Sequence, residues 1–254
     1  MPSTPAIPPA LRFWHLPVDG SWHGRALDSH LLLNLWIALG LFALANILLV
    51  VGVVSRRRAH RPIHKLKLEY LPLAAFAAVF FFLGTRANSL WATQRYTGAA
   101  PDALQVEVTG LQFAWYFRYP GVDATFGRTR NELVSAAEGN PVGLDPSDPY
   151  GADDIVRPQL VLPAGREVDL TLRAVDVIHG FAIPEMRLKQ NAIPGETQHI
   201  HFTPTRPGDY AILCTQVCGL GHYRMQAMLR VLPAKQFDQW LHQQEQARPS
   251  EAQR

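Results

Sequence analysis

Residues 31–54 form one apolar run of 24 residues that contains no charged side chain. A helix needs about 20 apolar residues to cross the hydrocarbon core of a bilayer, so this run predicts a membrane span. Basic residues follow the run instead of preceding it, and no small-residue cleavage site ends it, which argues against a cleaved signal peptide. The run therefore predicts a chain that is anchored in a lipid bilayer.

A second apolar run, residues 70–92, predicts a second span, since proline is tolerated in a first helical turn and Arg86 near the far end can reach the interface. The intervening loop, residues 55–67, is strongly basic and is expected on the cytoplasmic side. Glu69, at the inner end of the second span, is interpreted as an interfacial carboxylate, with a role in a proton path as the alternative.

These assignments predict a transmembrane helix hairpin over residues 30–92, with both chain termini outside. An extracytoplasmic N-terminal segment, residues 1–29, precedes it. The large C-terminal part then lies outside the cytoplasm, which is the periplasm in a Gram-negative bacterium. The formal net charge is only +3 with no long basic block, which argues against a nucleic-acid partner.

Residues 101–233 read as an all-β domain. Short segments of alternating apolar and polar residues are separated by turn signals such as Pro-Gly and Pro-Ala-Gly, a pattern typical of a sandwich or barrel. A loop-like insertion, residues 120–158, interrupts the strands and holds four clustered aspartates. Residues 234–254 predict a short amphipathic helix and a tail.

The only two cysteines of the chain, Cys214 and Cys218, are followed by His222 and Met225. Two thiolates, an imidazole and a thioether form a soft ligand set that suits copper, and two thiolates in one loop can bridge two copper ions. A disulfide or a zinc site remains an alternative at this point. A second histidine is required for two coppers; His179 at a strand end is the candidate, whereas His199 and His201 are interpreted as non-ligands.

Three motifs carry a resemblance to a known family. The spacing Cys-x3-Cys-x3-His-x2-Met resembles the dinuclear copper (CuA) motif of cytochrome c oxidase subunit II. The segments DVIHGFAIPEMRLKQNAIPG, residues 176–195, and VTGLQFAWYFRYPG, residues 108–121, resemble two further motifs of that family in the same order. The two-span hairpin also resembles the family anchor, so the resemblance covers roughly residues 30–240.

The resemblance implies an all-β, cupredoxin-like sandwich anchored by the hairpin to subunit I in the inner membrane. It implies a dinuclear copper centre, and Asp176 would orient the first histidine of that centre. The chain would be part of an oxidoreductase and translocase: it would take electrons from cytochrome c and pass them to haem in subunit I, where oxygen is reduced and protons are pumped. The implied metal ligands are His179, Cys214, Cys218, His222, Met225 and the backbone carbonyl of Gln216.

The chain departs from the family pattern at several positions. Gln216 stands where the family usually has a glutamate, and Asn191 where it usually has an aspartate, which weakens the case for the interface magnesium site of the family. Phe113 stands where the family has the tryptophan through which electrons enter; Trp115 and Tyr116 are the neighbouring candidates. Arg118 replaces an acidic residue that docks cytochrome c in some members. The acidic insertion is predicted to take over that docking, through Asp145, Asp148, Asp153 and Asp154.

Two other functions stay open at the level of the sequence, and a third is disfavoured. The chain could be the CuA subunit of another haem–copper complex, such as a nitric oxide reductase, or a membrane-tethered cupredoxin that delivers copper. A quinol oxidase subunit II shares the fold but typically lacks the copper ligands, which argues against it. No Cys-x-x-Cys-His segment occurs, so no c-type haem is expected on this chain.

Overall fold

The computed structural model describes residues 16–55 and 66–247, and the side chains of 66–69 are outside the description. The chain divides into two units, Arg25–Thr97 and the remainder. Most of the predicted basic loop, the N-terminal residues 1–15, the side chain of Glu69 and the tail from residue 248 onward lie outside the described residues. The predictions made for them remain predictions.

The first unit is a pair of long helices. Helix α1 spans Gly24–Val54 and helix α2 spans Leu66–Arg95, and both are long and apolar enough to cross a membrane. Each helix begins before its apolar run, because flanking polar residues can continue a helix beyond the part that must be apolar. The predicted loop therefore ends two residues too late, since residues 66 and 67 are helical.

Three polar side chains within these helices have hydrogen-bond partners inside the helix pair. The amide groups of Asn34 and Asn46 donate hydrogen bonds of 2.7 Å to the carbonyls of His30 and Phe42, one turn earlier. Arg86 donates to the hydroxyl of Ser29 at 3.3 Å and so connects the two helices. Polar groups inside a bilayer need hydrogen-bond partners within the protein, because no water is available there.

In the described part of the second unit, the chain forms a β-sandwich of ten strands in two five-stranded sheets. The first sheet has the order β3-β2-β1-β5-β8 and the second β4-β10-β9-β6-β7. The strand bounds are β1 Leu104–Leu111, β2 Ala114–Tyr119, β3 Ile155–Arg157, β4 Leu160–Pro163, β5 Val168–Ala174, β6 His179–Ile183, β7 Leu188–Ala192, β8 Gln198–Phe202, β9 Gly208–Cys214 and β10 Gln226–Leu232. Helix α3, Ala234–Gln246, follows the last strand, and the predicted all-β fold class is confirmed.

The core lies between the two sheets. Strand β5 alternates buried and half-buried positions along its whole length, as expected when one face of a strand packs on a core. Its buried residues Leu170 and Leu172 belong to the same apolar cluster as Phe117 and Phe181 from the two sheets. Full burial of one such side chain contributes about 1.5–3 kcal/mol to folding. A sandwich of this kind holds the loops at its ends in fixed positions.

Candidate metal centre

The two cysteines lie at the start and middle of the loop that joins β9 to β10. Cys214 ends β9, and its backbone N–H donates to the carbonyl of Met225 at 3.1 Å, which closes the loop at its base. Within the loop, the N–H of His222 donates to the carbonyl of Gly219 at 3.1 Å. These bonds hold residues 214–225 as one compact ring of backbone.

The sulfur and nitrogen atoms of this loop converge on one point. The two cysteine Sγ atoms are 3.9 Å apart and both thiols are free, whereas a disulfide requires about 2.05 Å. The Sγ of Cys218 lies 3.7 Å from Nδ1 of His222 and 3.7 Å from Sδ of Met225. The carbonyl of Gln216 lies 3.2 Å from Sγ of Cys214. Five of the predicted ligands are therefore neighbours.

His179 completes the cluster from a different strand. It begins β6, which pairs antiparallel with β9 so that Phe181 lies opposite Cys214. Its ring offers a nitrogen within 4.8 Å of both cysteine sulfurs. The structure therefore brings together all six residues that the sequence singled out, although His179 is 35 residues from the loop. His199 and His201 bond to Asp169 and Glu167 instead and are not in this cluster.

The ring of His179 is oriented as that of a metal ligand would be. Its Nε2 lies 2.8 Å from Oδ1 of Asp176, while Nδ1 is buried and has no hydrogen-bond partner among the described residues. Buried polar atoms in folded proteins are nearly always paired, so an unpartnered nitrogen on a ring that clusters with two thiols fits the role of a metal ligand. A carboxylate on the other nitrogen is the usual support of a metal-bound histidine.

The electrostatics of the cluster also fit a cation. Burial, and then the neighbouring Cys214 thiol, raise the pKa of Cys218 to about 11. Burial alone would raise the pKa of Asp176, but hydrogen bonds from His179 and from the N–H groups of Gln112 and Val177 together hold it below its usual range. The Cys218 thiol is therefore protonated at neutral pH without a metal, and a bound metal ion would deprotonate the thiol that coordinates it.

Gln112 is a site residue that sequence reasoning missed. Its backbone N–H donates to Oδ2 of Asp176 at 2.8 Å, and its side-chain amide donates to the carbonyl of Cys218. It thus connects the support of His179 to the cysteine loop. No sequence signal identifies it, because an isolated glutamine in a turn between two strands has many uses.

The three aromatic candidates for the point where electrons enter occupy different environments. Phe113 is 38 % exposed, whereas Trp115 is 1 % exposed and packs edge-on against His179 with ring centroids 5.8 Å apart. Tyr116 is half-buried in β2. Trp115 therefore lies beneath the site, and Phe113 is the one of the three that is both exposed and in contact with the loop.

The four aspartates of the insertion do not form the exposed acidic docking surface that the sequence predicted. Asp145, Asp148 and Asp154 are buried, and each pairs with an arginine, at 2.9, 3.1 and 2.7 Å respectively. Hydrogen bonds from Ser147 lower the pKa of Asp145, and the N–H of Arg128 lowers that of Asp148. The half-buried Asp153 accepts from the N–H of Asp123 at 3.1 Å. Asp145 and Asp148 pair with arginines of the insertion itself, and Asp154 pairs with Arg118 of β2, so the clustered aspartates form ion pairs within the domain.

Replacing Asp176 with asparagine is expected to weaken metal retention without abolishing the fold. The amide is a poorer acceptor for the ring N–H, so the ring loses its fixed orientation, and loss of such a support typically reduces metal affinity about 10–100-fold. Competition with a copper chelator would measure the effect. The matched control is Asp169→Asn, which removes the same kind of contact, 3.3 Å, from the exposed His199. Equal retention in both variants would contradict the role of Asp176.

Comparisons with known proteins agree on one family. A sequence model of the family described as cytochrome c oxidase subunit II, periplasmic domain, matches residues 104–232. The alternative cytochrome c oxidase subunit 2 of Bradyrhizobium diazoefficiens is 34% identical over 242 residues, which cover 91% of this chain and 84% of that protein. The probable cytochrome c oxidase subunit 2 of Streptomyces avermitilis is 29% identical over 259 residues, covering 94% and 76%.

Among solved structures, the chain is similar to the periplasmic domain of subunit II of cytochrome oxidase from Bradyrhizobium japonicum. The sequences are 25% identical, the TM-score is 0.42, and the match covers 57% of this chain and 96% of that one.

Proposed function

The chain belongs to the cytochrome c oxidase subunit II family, and from that premise we propose that it carries the dinuclear copper centre through which electrons enter a terminal oxidase. The observation that carries the proposal is the position of His179: its Nδ1 is buried without a hydrogen-bond partner among the described residues, and its ring offers a nitrogen within 4.8 Å of two free thiol sulfurs. Copper in a donor set of this kind supplies a one-electron redox couple. The residues that would hold it are His179, Cys214, Cys218, His222, Met225 and the carbonyl of Gln216.

The residues around the donor set keep it in one geometry. Asp176 fixes the ring of His179, and the backbone bond between Cys214 and Met225 fixes the ends of the loop. Cys218 and Met225 are buried at 5 % and 2 % exposure, which excludes water from one side of the site. A site whose ligands are held this way would change little in shape when the bound copper gains or loses an electron, which favours fast electron transfer.

The rest of the proposed function concerns the complex. The two apolar helices fit a membrane anchor that packs beside subunit I, and the sandwich fits an extracytoplasmic position. Electrons would come from cytochrome c and go on to haem in subunit I, where oxygen is reduced to water and protons are translocated. The side chain of Gln216 is exposed and uncharged, so this chain brings no glutamate to an interface magnesium site.

Metal analysis and EPR of the purified full-length chain in its complex would test the proposal. Two copper ions per chain in addition to the copper of subunit I, sharing one unpaired electron equally, are expected. A single copper with an ordinary Cu(II) spectrum, or a stable Cys214–Cys218 disulfide without copper, would contradict it. Readily exchanged copper without a bound subunit I would favour the copper-delivery function instead.

A further inference from the structure

The segment that precedes helix α1, residues 17–23, lies against the sandwich and belongs to the same compact unit. We call this segment the strap. The backbone N–H of Gly20 donates to the carbonyl of Glu185 at 2.9 Å, and that of Trp22 donates to the carbonyl of Thr203 at 3.0 Å. The strap is therefore hydrogen-bonded to two separate segments of the sandwich just before the chain enters a membrane helix.

Further contacts hold the strap at its start and at its middle. The guanidinium of Arg187 donates to the carbonyl of Pro17 at 2.6 Å, and the N–H of Thr205 donates to the carbonyl of Gly20 at 2.7 Å. A Cβ atom built on Gly20 would lie 2.8 Å from Cε of Met186, so the strap approaches the sandwich as closely as a glycine allows. The strap is thus a docked part of the sandwich and is more than a linker to the helix.

His23 ends the strap, one residue before helix α1 begins. Its ring is half-buried and makes a hydrogen bond with the backbone of Met186. Its Nε2 is buried and has no hydrogen-bond partner among the described residues. The same is true of Nε2 of His201 on β8, whose Nδ1 lies 2.9 Å from Glu167. Two histidine rings of this region therefore each bury a nitrogen that lacks a partner in the described part of the chain.

The charged groups around His23 come from the strap, from β8 and from the turn that follows β6. Asp19 of the strap favours a proton on the ring, whereas His201 and Arg187 disfavour it. Glu185, on that turn, has a buried Oε2 without a hydrogen-bond partner among the described residues. Burial is the largest influence and lowers the pKa of His23 below its usual value, in spite of Asp19, so the ring is neutral at neutral pH.

A proton on the docked ring of His23 is unfavourable for a geometric reason as well. An imidazolium donates from both ring nitrogens, and the buried Nε2 has no acceptor among the described residues. A buried charged donor without an acceptor is destabilising, whereas water solvates the charged ring once the strap leaves the sandwich. The released strap therefore binds the proton more tightly. Docking is complete above the ordinary histidine pKa of about 6.5 and is lost as pH falls below it.

We propose that the strap is a pH-sensitive latch: it holds the segment leading into helix α1 against the sandwich at neutral pH, and uptake of a proton by His23 releases it in acid. Release breaks hydrogen bonds only, and the proton comes from water. The latch depends on contacts of this chain alone, and only the side of the membrane on which it acts rests on the proposed function. An oxidase that translocates protons to that side would acidify the surroundings of its own strap.

Hydrogen–deuterium exchange of the purified oxidase complex, read by mass spectrometry of peptides that cover the strap, would test the proposal. Exchange is expressed as protection relative to the intrinsic rate at each pH, because exchange itself depends on pH. We expect protection of the N–H groups of Gly20 and Trp22 to fall several-fold between about pH 7.5 and about pH 5. In His23→Gln and His23→Asn, whose amides take up no proton in this range, we expect equal protection at both pH values.

Two further variants serve as controls. His199→Gln removes another titratable ring of β8, one that is 60 % exposed, and is expected to keep the wild-type fall in protection. Gly20→Leu forces a side chain against Met186 and is expected to lower protection at both pH values. Protection that does not change with pH in the wild type would overturn the inference. So would an equally steep fall in the wild type and in both His23 variants.

Copper content is measured on the same samples, because the strap includes none of the proposed copper ligands. A normal pH response of the strap in a complex without the two copper ions would overturn the proposed function and leave the latch standing. A strap that does not respond to pH in a complex with both copper ions would overturn the latch alone.

Discussion

Replacing Cys218 with serine is expected to remove the metal centre and abolish oxidation of the donor. Cys218 lies within 3.7–3.9 Å of the donor atoms of Cys214, His222 and Met225, so it contacts more of the set than any other residue described. A hydroxyl stays protonated where a thiol is deprotonated by a metal, and oxygen is a poor ligand for a soft ion. Metal analysis and donor-driven oxygen consumption of the purified complex would measure the loss.

A graded variant and a control accompany this experiment. Met225→Leu keeps the volume and removes only the thioether, so copper is expected to remain with an altered EPR spectrum. Met186→Leu makes the same change at a fully buried methionine of the core and is expected to leave the spectrum unchanged. Full copper content in Cys218→Ser would contradict the assignment of this residue.

Replacing Arg118 with methionine is expected to destabilise the sandwich by about 3–5 kcal/mol, because it leaves buried carboxylates without their cation. Arg118 is 2 % exposed on β2 and pairs with Glu107 on the neighbouring strand and with Asp154 of the insertion. It also donates to the carbonyl of Gly127 at 2.7 Å and lies over the ring of Phe126. Unfolding of the full-length chain in detergent, followed by tryptophan fluorescence, would measure the change.

The loss of unfolding free energy in Arg118→Met is expected to be larger at high pH than at low pH. Burial raises the pKa of Asp154 to about 6, against the opposing pull of Arg118. A carboxyl group whose pKa is higher in the folded state than in the unfolded state binds more protons when folded, so stability falls as pH rises from about 4 through the folded value. Without Arg118 the folded pKa rises further. The penalty is therefore expected to be smaller near pH 5 than at pH 8.

An exposed ion pair provides the control for this prediction. Arg230 pairs with Asp209 at 2.8 Å, but both side chains are about half exposed. Exposed pairs contribute about 0–1 kcal/mol, so Arg230→Met is expected to have little effect on unfolding. Equally small losses for the two arginine variants, at both pH values, would contradict the stabilising role of Arg118 in the sandwich.

The interior position of Arg118 illustrates what sequence reasoning got wrong. Its replacement of an acidic residue suggested a change at the surface, and the aspartates of residues 145–154 suggested a substitute surface. The structure instead buries Arg118 and three of those aspartates as partners of one another or of other arginines. Whether a charge is exposed depends on what packs over it, and the covering segment here comes from elsewhere in the chain.

The sequence determined the features that depend on neighbouring residues. A long run without charged residues indicates a helix able to span a bilayer, and alternation of apolar and polar residues indicates the strands. Five of the six candidate ligands are spaced within one short loop. Tertiary structure alone decided the features that join distant segments. Pairing of β6 with β9 brings His179 to the thiols, the turn at Gln112 connects Asp176 to the loop, and folding of the insertion buries its acids. Contacts between distant segments leave no periodic signal in the chain, because they depend on how the sheets pack.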